Sequence, residues 1–210
     1  ETGTPFIFFR DTVNTANPNK HAGMIYASNL CHEIAQNVGF TNLAEEIINE
    51  DGTITTKTNT GDMVTCNLNS ISLGRITDEE LEENIALQIR MLDNVISINQ
   101  APVPESRMTS DKYRAIGLGT SGYHHYLVNH DIQWESDEHI EVADKLFENI
   151  AFYAIKASME LAKEKGAYPA FKGSEWETGE YFTRRGYTSD RWKQLAADVA
   201  KYGKIGRAHV

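Results

Sequence analysis

From Thr77 onward the apolar residues of this 210-residue chain fall at helical intervals, and that change of period constrains the fold more than any other feature. Leu81, Ile85, Ile89, Leu92 and Ile96 recur every three or four positions, which lines them along one helix face. Thr77 with Glu80 three residues on is a capping box that marks the start, and Pro102 and Pro104 lie beyond the end. A second helix is predicted over 111–129. A third starts near Ser136, carries Ala143, Phe147, Ile150, Ala154, Ala157 and Leu161, and is closed by Gly166; Trp192, Leu195, Ala196 and Val199 indicate a last one. The first 75 residues have another texture. PFIFF at 5–9, GMIYA at 23–27 and MVTCNLNSISL at 63–73 are β-branched, aromatic or alternating and read as strands, separated by stretches rich in Asn, Gly and Thr. LAEEIINE at 43–50 reads as a short helix, followed by a polar excursion, DGTITTKTNTGD, with Gly52 and Gly61 as turn points. No internal repeat or linker interrupts the chain, so the reading is α/β and one unit, or part of one.

Composition narrows the function classes. At 40% hydrophobic and 24% charged, the chain has the balance of a globular protein. A formal net charge of -10 disfavours a general nucleic-acid or anionic-membrane binder, which needs a basic face. The apolar run at 6–9 falls far short of the roughly 20 residues that span a bilayer. Two cysteines without a signal-like start suggest a reducing compartment, with the cytoplasm as the expected location. The chain begins at Glu1 without a Met, so the natural polypeptide is expected to extend upstream. At the other end IGRAHV resembles the translation of a sequencing adapter; residues 1–204 are therefore read as a partial domain and 205–210 as a non-native tail.

Three patterns invite chemical readings. GLGTSG at 117–122 matches a dinucleotide-binding G-x-G-x-x-G, but the polar SDKYRAI before it does not read as a buried parallel strand. A glycine face that admits close approach of another helix or strand is the preferred reading. His124, His125 and His130 lack the neighbouring Cys or His residues that would complete a zinc set. SNLCHEI at 28–34 is different, because Asn29, Cys31 and Glu33 occupy alternate positions. In an extended or looped backbone these point the same way and bring an amide, a thiol and a carboxylate into one small volume. Amide donors hold a hydroxyl, a carboxylate takes its proton, and sulfur supplies a nucleophile or a one-electron centre. A buried structural cysteine is the competing interpretation. Cys66, expected mid-strand in VTCNLNSISLG, tilts the balance towards chemistry because a thiol on the inner face of that strand would meet the first site.

FFRDTVNTANPNKHAGMIYASNLCHEI, then GDMVTCNLNSISLG and AIGLGTSGYHHYL, together resemble the catalytic large subunit of ribonucleotide reductase across residues 5–204. The N-L-C-x-E signature followed by C-N-L-x-S is the most specific part. The resemblance implies a partial ten-stranded α/β barrel made of two antiparallel halves, with a central finger loop bearing the radical cysteine, strands first and several long helices after. It implies an oxidoreductase that makes 2′-deoxyribonucleotides for DNA synthesis and is inactive as an isolated fragment. Cys31 matches the residue that becomes a thiyl radical and takes hydrogen from C3′. Glu33 matches the base for the 3′-hydroxyl, and Asn29 the residue that hydrogen-bonds the ribose hydroxyls. Cys66 matches one member of the reducing thiol pair, whose partner lies upstream of this chain. By the same resemblance no cofactor binds this fragment directly. The radical comes from a metal-containing small subunit or, alternatively, from adenosylcobalamin, and dNTP or ATP effectors bind elsewhere in the parent. A ribonucleotide, a thioredoxin- or glutaredoxin-type reductant and a second copy of the full-length subunit are the further partners implied. The family also places a glycine stretch like GLGTSG on a helix. A helical interaction module with merely structural cysteines is the reading from another class.

Overall fold

The computed structural model describes residues 5–206 and 208–209. Its helical half follows the apolar period closely. Helix α2, Leu81–Ile98, buries Leu81, Ile85, Ile89, Leu92 and Ile96 on one face. Half of the expected capping box forms: the Glu80 carboxylate accepts from the Thr77 N–H at 2.9 Å. Helix α5, Asp137–Lys165, begins where Ser136 accepts from the His139 N–H and ends at Gly166, whose φ of 87° suits glycine. Helix α8, Asp190–Tyr202, buries Trp192, Leu195 and Val199. Two short helices, α6 (Glu175–Thr178) and α7 (Glu180–Arg184), lie between α5 and α8.

The predicted second helix over 111–129 is three elements instead. Helix α3 runs from Pro104 to Tyr113 and stops at Arg114, which takes a left-handed φ of 42°. Strand β4, Ile116–Ser121, follows, and then helix α4, Tyr123–Asn129. The GLGTSG stretch therefore lies on a strand and its exit, and not on a helix. Ile116 and Leu118 alternate inward with glycines between them, a period of two that the helical expectation missed. The reading of close approach holds at Gly117, where an added Cβ would lie 2.3 Å from the Leu68 side chain.

Strand β4 pairs in parallel with β3, Leu68–Ser72, and also in parallel with β5, Ala208–His209, giving the order β3-β4-β5. Helix α2 packs on β3 and β4 and against α5. One core cluster fills this interface, with Ile71, Ile89, Leu118, Leu127, Ile150 and Ile205 among its members. A second, aromatic cluster lies between α5 and α8, around Tyr168, Trp176, Phe182 and Trp192.

The N-terminal third departs further from expectation. Residues 43–50 do not form a helix: strand β1, Asn42–Ile48, pairs antiparallel with β2, Ile54–Asn59. The Thr-rich run after the turn supplies a β-branched partner, and Gly52 takes the left-handed turn position at φ 82°. Neither 5–9 nor 23–27 pairs as a strand among the described residues; 5–9 lead instead into helix α1, Arg10–Thr15. Of 63–73, only Leu68–Ser72 is strand. Strands need neighbours, and these segments find none among the described residues. The fold is mixed α/β, with a two-stranded and a three-stranded sheet, neither closed on itself. No described helix is long and apolar enough to cross a membrane.

Candidate active site

Residues 24–38 make a finger that leaves the body and returns to it. Its neck is closed by the Val38 N–H on the Met24 carbonyl at 3.0 Å. Higher up, Ser28 Oγ donates to the Ile34 carbonyl at 2.7 Å, and the Ile34 N–H donates to Asn29 Oδ1 at 3.0 Å. At the tip the chain makes a turn, with the His32 N–H on the Asn29 carbonyl at 3.2 Å. His32 takes a left-handed φ of 67°, uncommon for a residue with a Cβ, and its ring lies 4.5 Å from that of Phe6. Simple alternation is thus not what gathers the side chains. The turn does so, returning Glu33 beneath Asn29.

Asn29 Nδ2 donates to Glu33 Oε1 at 2.6 Å and lies 3.6 Å from Cys66 Sγ, while Cys66 Sγ lies 3.9 Å from the same carboxylate oxygen. Three of the four residues singled out in the sequence therefore meet, across 37 positions of chain. Cys31 stands at the finger tip, outside this hydrogen-bonded set, yet close enough for its charge to bear on Cys66. Both cysteines are free and exposed. Burial pushes the Cys66 thiol above its ordinary value, the Glu33 charge adds to the rise, and the Asn29 amide opposes it.

Cys66 precedes β3 rather than lying within it, and α3 holds its segment. The Met63 N–H donates to Thr109 Oγ1 at 2.8 Å, and Thr65 and Ser110 share a hydrogen bond at 3.0 Å. On the other side Asn67 Nδ2 donates to the Leu92 carbonyl of α2 at 2.8 Å. An open cleft of about 720 Å³ borders the finger, lined by Phe6, Phe8, Tyr26, Ser28 and His32 among others, a volume in the range of small-molecule sites. A second cleft, of about 540 Å³, lies between α5 and the α7–α8 connection and shares no residue with the cysteine cluster.

The histidines of α4 and the one that follows it make packing contacts. His125 sits against Gly74, His130 stacks on Tyr126 with ring centroids 4.1 Å apart, and His124 meets Trp134 edge-on. Among the described residues no group of three or more His, Cys, Asp or Glu side chains is arranged to hold a metal ion. Sequence reasoning missed the residues that support the finger: Ser28, Asn14 and Asn37. The stretches rich in Asn were legible as loops. That their amides take the place of a sheet was not.

The barrel-domain model of ribonucleotide reductase matches residues 1–207. Among curated proteins, the ribonucleoside-diphosphate reductase subunit alpha of Treponema pallidum is 53% identical, the match covering 97% of this chain and 25% of that protein. The subunit of the same name from Helicobacter pylori strain J99 is 38% identical, over 85% of this chain and 27% of its own length. That of Synechocystis is 34% identical over 100% of this chain and 25% of its own. The chain thus spans about a quarter of these relatives. With a family match over nearly its whole length, and an amide, a carboxylate and a thiol joined at the finger, the chain belongs to the ribonucleotide reductase barrel-domain family.

Proposed function

We propose that the polypeptide to which this chain belongs reduces ribonucleotides to 2′-deoxyribonucleotides through a thiyl radical, within a ten-stranded barrel that residues outside this chain complete. The observation that carries the proposal is the meeting of Asn29, Glu33 and Cys66 beneath a finger tip bearing Cys31. In this reading the oxidised Cys31 sulfur takes the hydrogen atom from C3′ of the ribose. Glu33 accepts the proton of the 3′-hydroxyl, and Asn29, whose amide both donates and accepts, holds the sugar hydroxyls. The 2′-hydroxyl leaves as water, and its two electrons and protons come from Cys66 and a second thiol, which close a disulfide. The hydrogen goes back to C3′, so only the thiol pair is oxidised overall. An external dithiol of the thioredoxin or glutaredoxin type then restores the pair. The position of Cys66 Sγ, 3.9 Å from Glu33 Oε1, supports this role, since it sets the reducing thiol beside the base. The relatives are named as subunit alpha, which favours a companion subunit over adenosylcobalamin as the radical source.

The test uses the full-length subunit with its radical source and a dithiol reductant. Cys31→Ser should abolish deoxynucleotide formation, because a hydroxyl is a far poorer one-electron centre than a thiol. Glu33→Gln should slow turnover by about 10² to 10⁴ with little change in KM, as for a lost general base. Measurable turnover by the serine variant, or a glutamine variant changed only in KM, would overturn the assignment.

A further inference from the structure

We propose that an amide set at the base of the finger, the half-buried Asn14 and the buried Asn17, Asn19 and Asn37 with the Tyr168 hydroxyl, is a positioning device that fixes where the Asn29–Glu33 turn sits. Ile25 and Asn37 are buried at the finger base and Ile34 higher on its returning limb, yet no strand pairs with the finger among the described residues. Buried backbone groups need partners, and side chains supply them here. Asn14 takes both polar groups of Ile25: its Nδ2 donates to the Ile25 carbonyl at 2.7 Å, and its Oδ1 accepts from the Ile25 N–H at 2.9 Å. One side-chain amide thereby stands in for a neighbouring strand.

The returning limb is held by a longer relay. Asn37 Nδ2 donates to the Asn19 carbonyl at 2.9 Å, and Asn37 Oδ1 accepts from Asn17 Nδ2 at 2.7 Å. Asn17 Oδ1 in turn accepts from the Asn19 N–H at 3.0 Å, and Asn19 Oδ1 accepts from the Tyr168 hydroxyl at 2.7 Å. Tyr168 belongs to the aromatic core between α5 and α8, so the relay references the finger to a packed cluster of the C-terminal helices. The same 16–20 segment is tied a second time: the Glu175 N–H donates to the Pro18 carbonyl, and Arg184 donates to the Ala16 carbonyl at 3.0 Å.

Asn14 grips the finger four residues before Asn29, and Asn37 grips it four residues after Glu33. Hydrogen bonds of fixed length at both limbs define the turn's height over Cys66 more sharply than apolar contact alone, and about 1 Å of misplacement costs roughly 10²-fold in a reaction that depends on alignment. None of these residues touches the cysteine cluster, so each acts through the turn.

The kinetic arm of the test rests on the proposed reductase function, and the exchange arm does not. In the full-length subunit Tyr168→Phe removes a single hydroxyl, and Asn14→Ala removes the grip on Ile25. Each should speed amide hydrogen exchange across residues 24–38 by about tenfold or more while exchange in α2 and α5 stays as in the wild type. Each should also lower kcat, by about 10-fold for Tyr168→Phe and up to about 100-fold for Asn14→Ala, with KM within about twofold. Unchanged exchange at 24–38 in Tyr168→Phe overturns the proposal. So does faster exchange there with kcat intact, which would make the set merely structural. Should Asn14→Ala unfold, with exchange rising in α2 and α5 as well, Tyr168→Phe decides alone. If the wild type makes no deoxynucleotide, the functional reading fails, and faster exchange confined to 24–38 still supports the clamp.

Discussion

Cys66 sits between a carboxylate that resists its ionisation and an amide that favours it, and its titration separates the two. Burial is the larger cause of the raised pKa and the Glu33 charge the next, with the Asn29 amide acting in the opposite sense. In the full-length subunit, Glu33→Gln should therefore move the midpoint of the Cys66 alkylation rate to lower pH without restoring an ordinary thiol, because the burial remains. Asn29→Ala should move it the other way. A wild-type midpoint in the ordinary thiol range, read by mass spectrometry of the labelled peptide, would remove the effect of these neighbours on the thiol from the account. The residue types at this site were legible in SNLCHEI, since few other chemistries call for an amide, a thiol and a carboxylate so close together. Their arrangement was not, because it depends on the left-handed backbone of His32, which no side-chain pattern announces.

At the scale of elements, the long helices were legible in the sequence and most strands were not: β3 fell inside the segment expected as strand, but β1 and β4 both read as helix. A helix satisfies its own backbone, so the 81, 85, 89, 92, 96 stripe was enough to define α2. A strand depends on what lies beside it. NLAEEII became β1 because ITTKTN lies opposite, and IGLGTS became β4 because β3 offered a parallel edge 49 residues earlier, neither partner being encoded in the segment itself. The glycines show how close these elements come. At Gly61 an added Cβ would lie 2.1 Å from the Gly39 carbonyl oxygen, where β2's exit crosses the chain leaving the finger. At Gly117 the clash is with the end of the Leu68 side chain, which is half exposed and free to turn away. Gly61→Ala should accordingly destabilise by about 2 kcal/mol or more, as backbone must shift, and Gly117→Ala by no more than about 1 kcal/mol. Denaturant melts of the full-length subunit that ranked the two in reverse would contradict the packing described.

Across the whole molecule, one buried carboxylate joins the two ends of the chain. Glu175 accepts from Lys20 and from Arg184, each at 2.6 Å. Burial pushes its pKa up, but the hydrogen bonds and charges of Lys20 and Arg184 outweigh this and leave it below the ordinary carboxylate value of 4.5. A depressed carboxylate contributes stability that is present above its unfolded pKa and lost as pH falls through the folded one. Thermal unfolding should therefore show Glu175→Gln less stable than wild type at pH 7, with the gap narrowing below about pH 4.5. A gap that stays constant to pH 3 would remove the ion pair from the account. The distance this junction spans has a further consequence during synthesis. Asn19 and Tyr168 are 149 residues apart, which at ribosomal speeds of about 5 to 20 residues per second separates their emergence by roughly 7 to 30 s. For most of that interval the nascent finger has its cysteine and its local amide grips but not the Tyr168 hydroxyl, so the relay that ties it to the C-terminal core closes last.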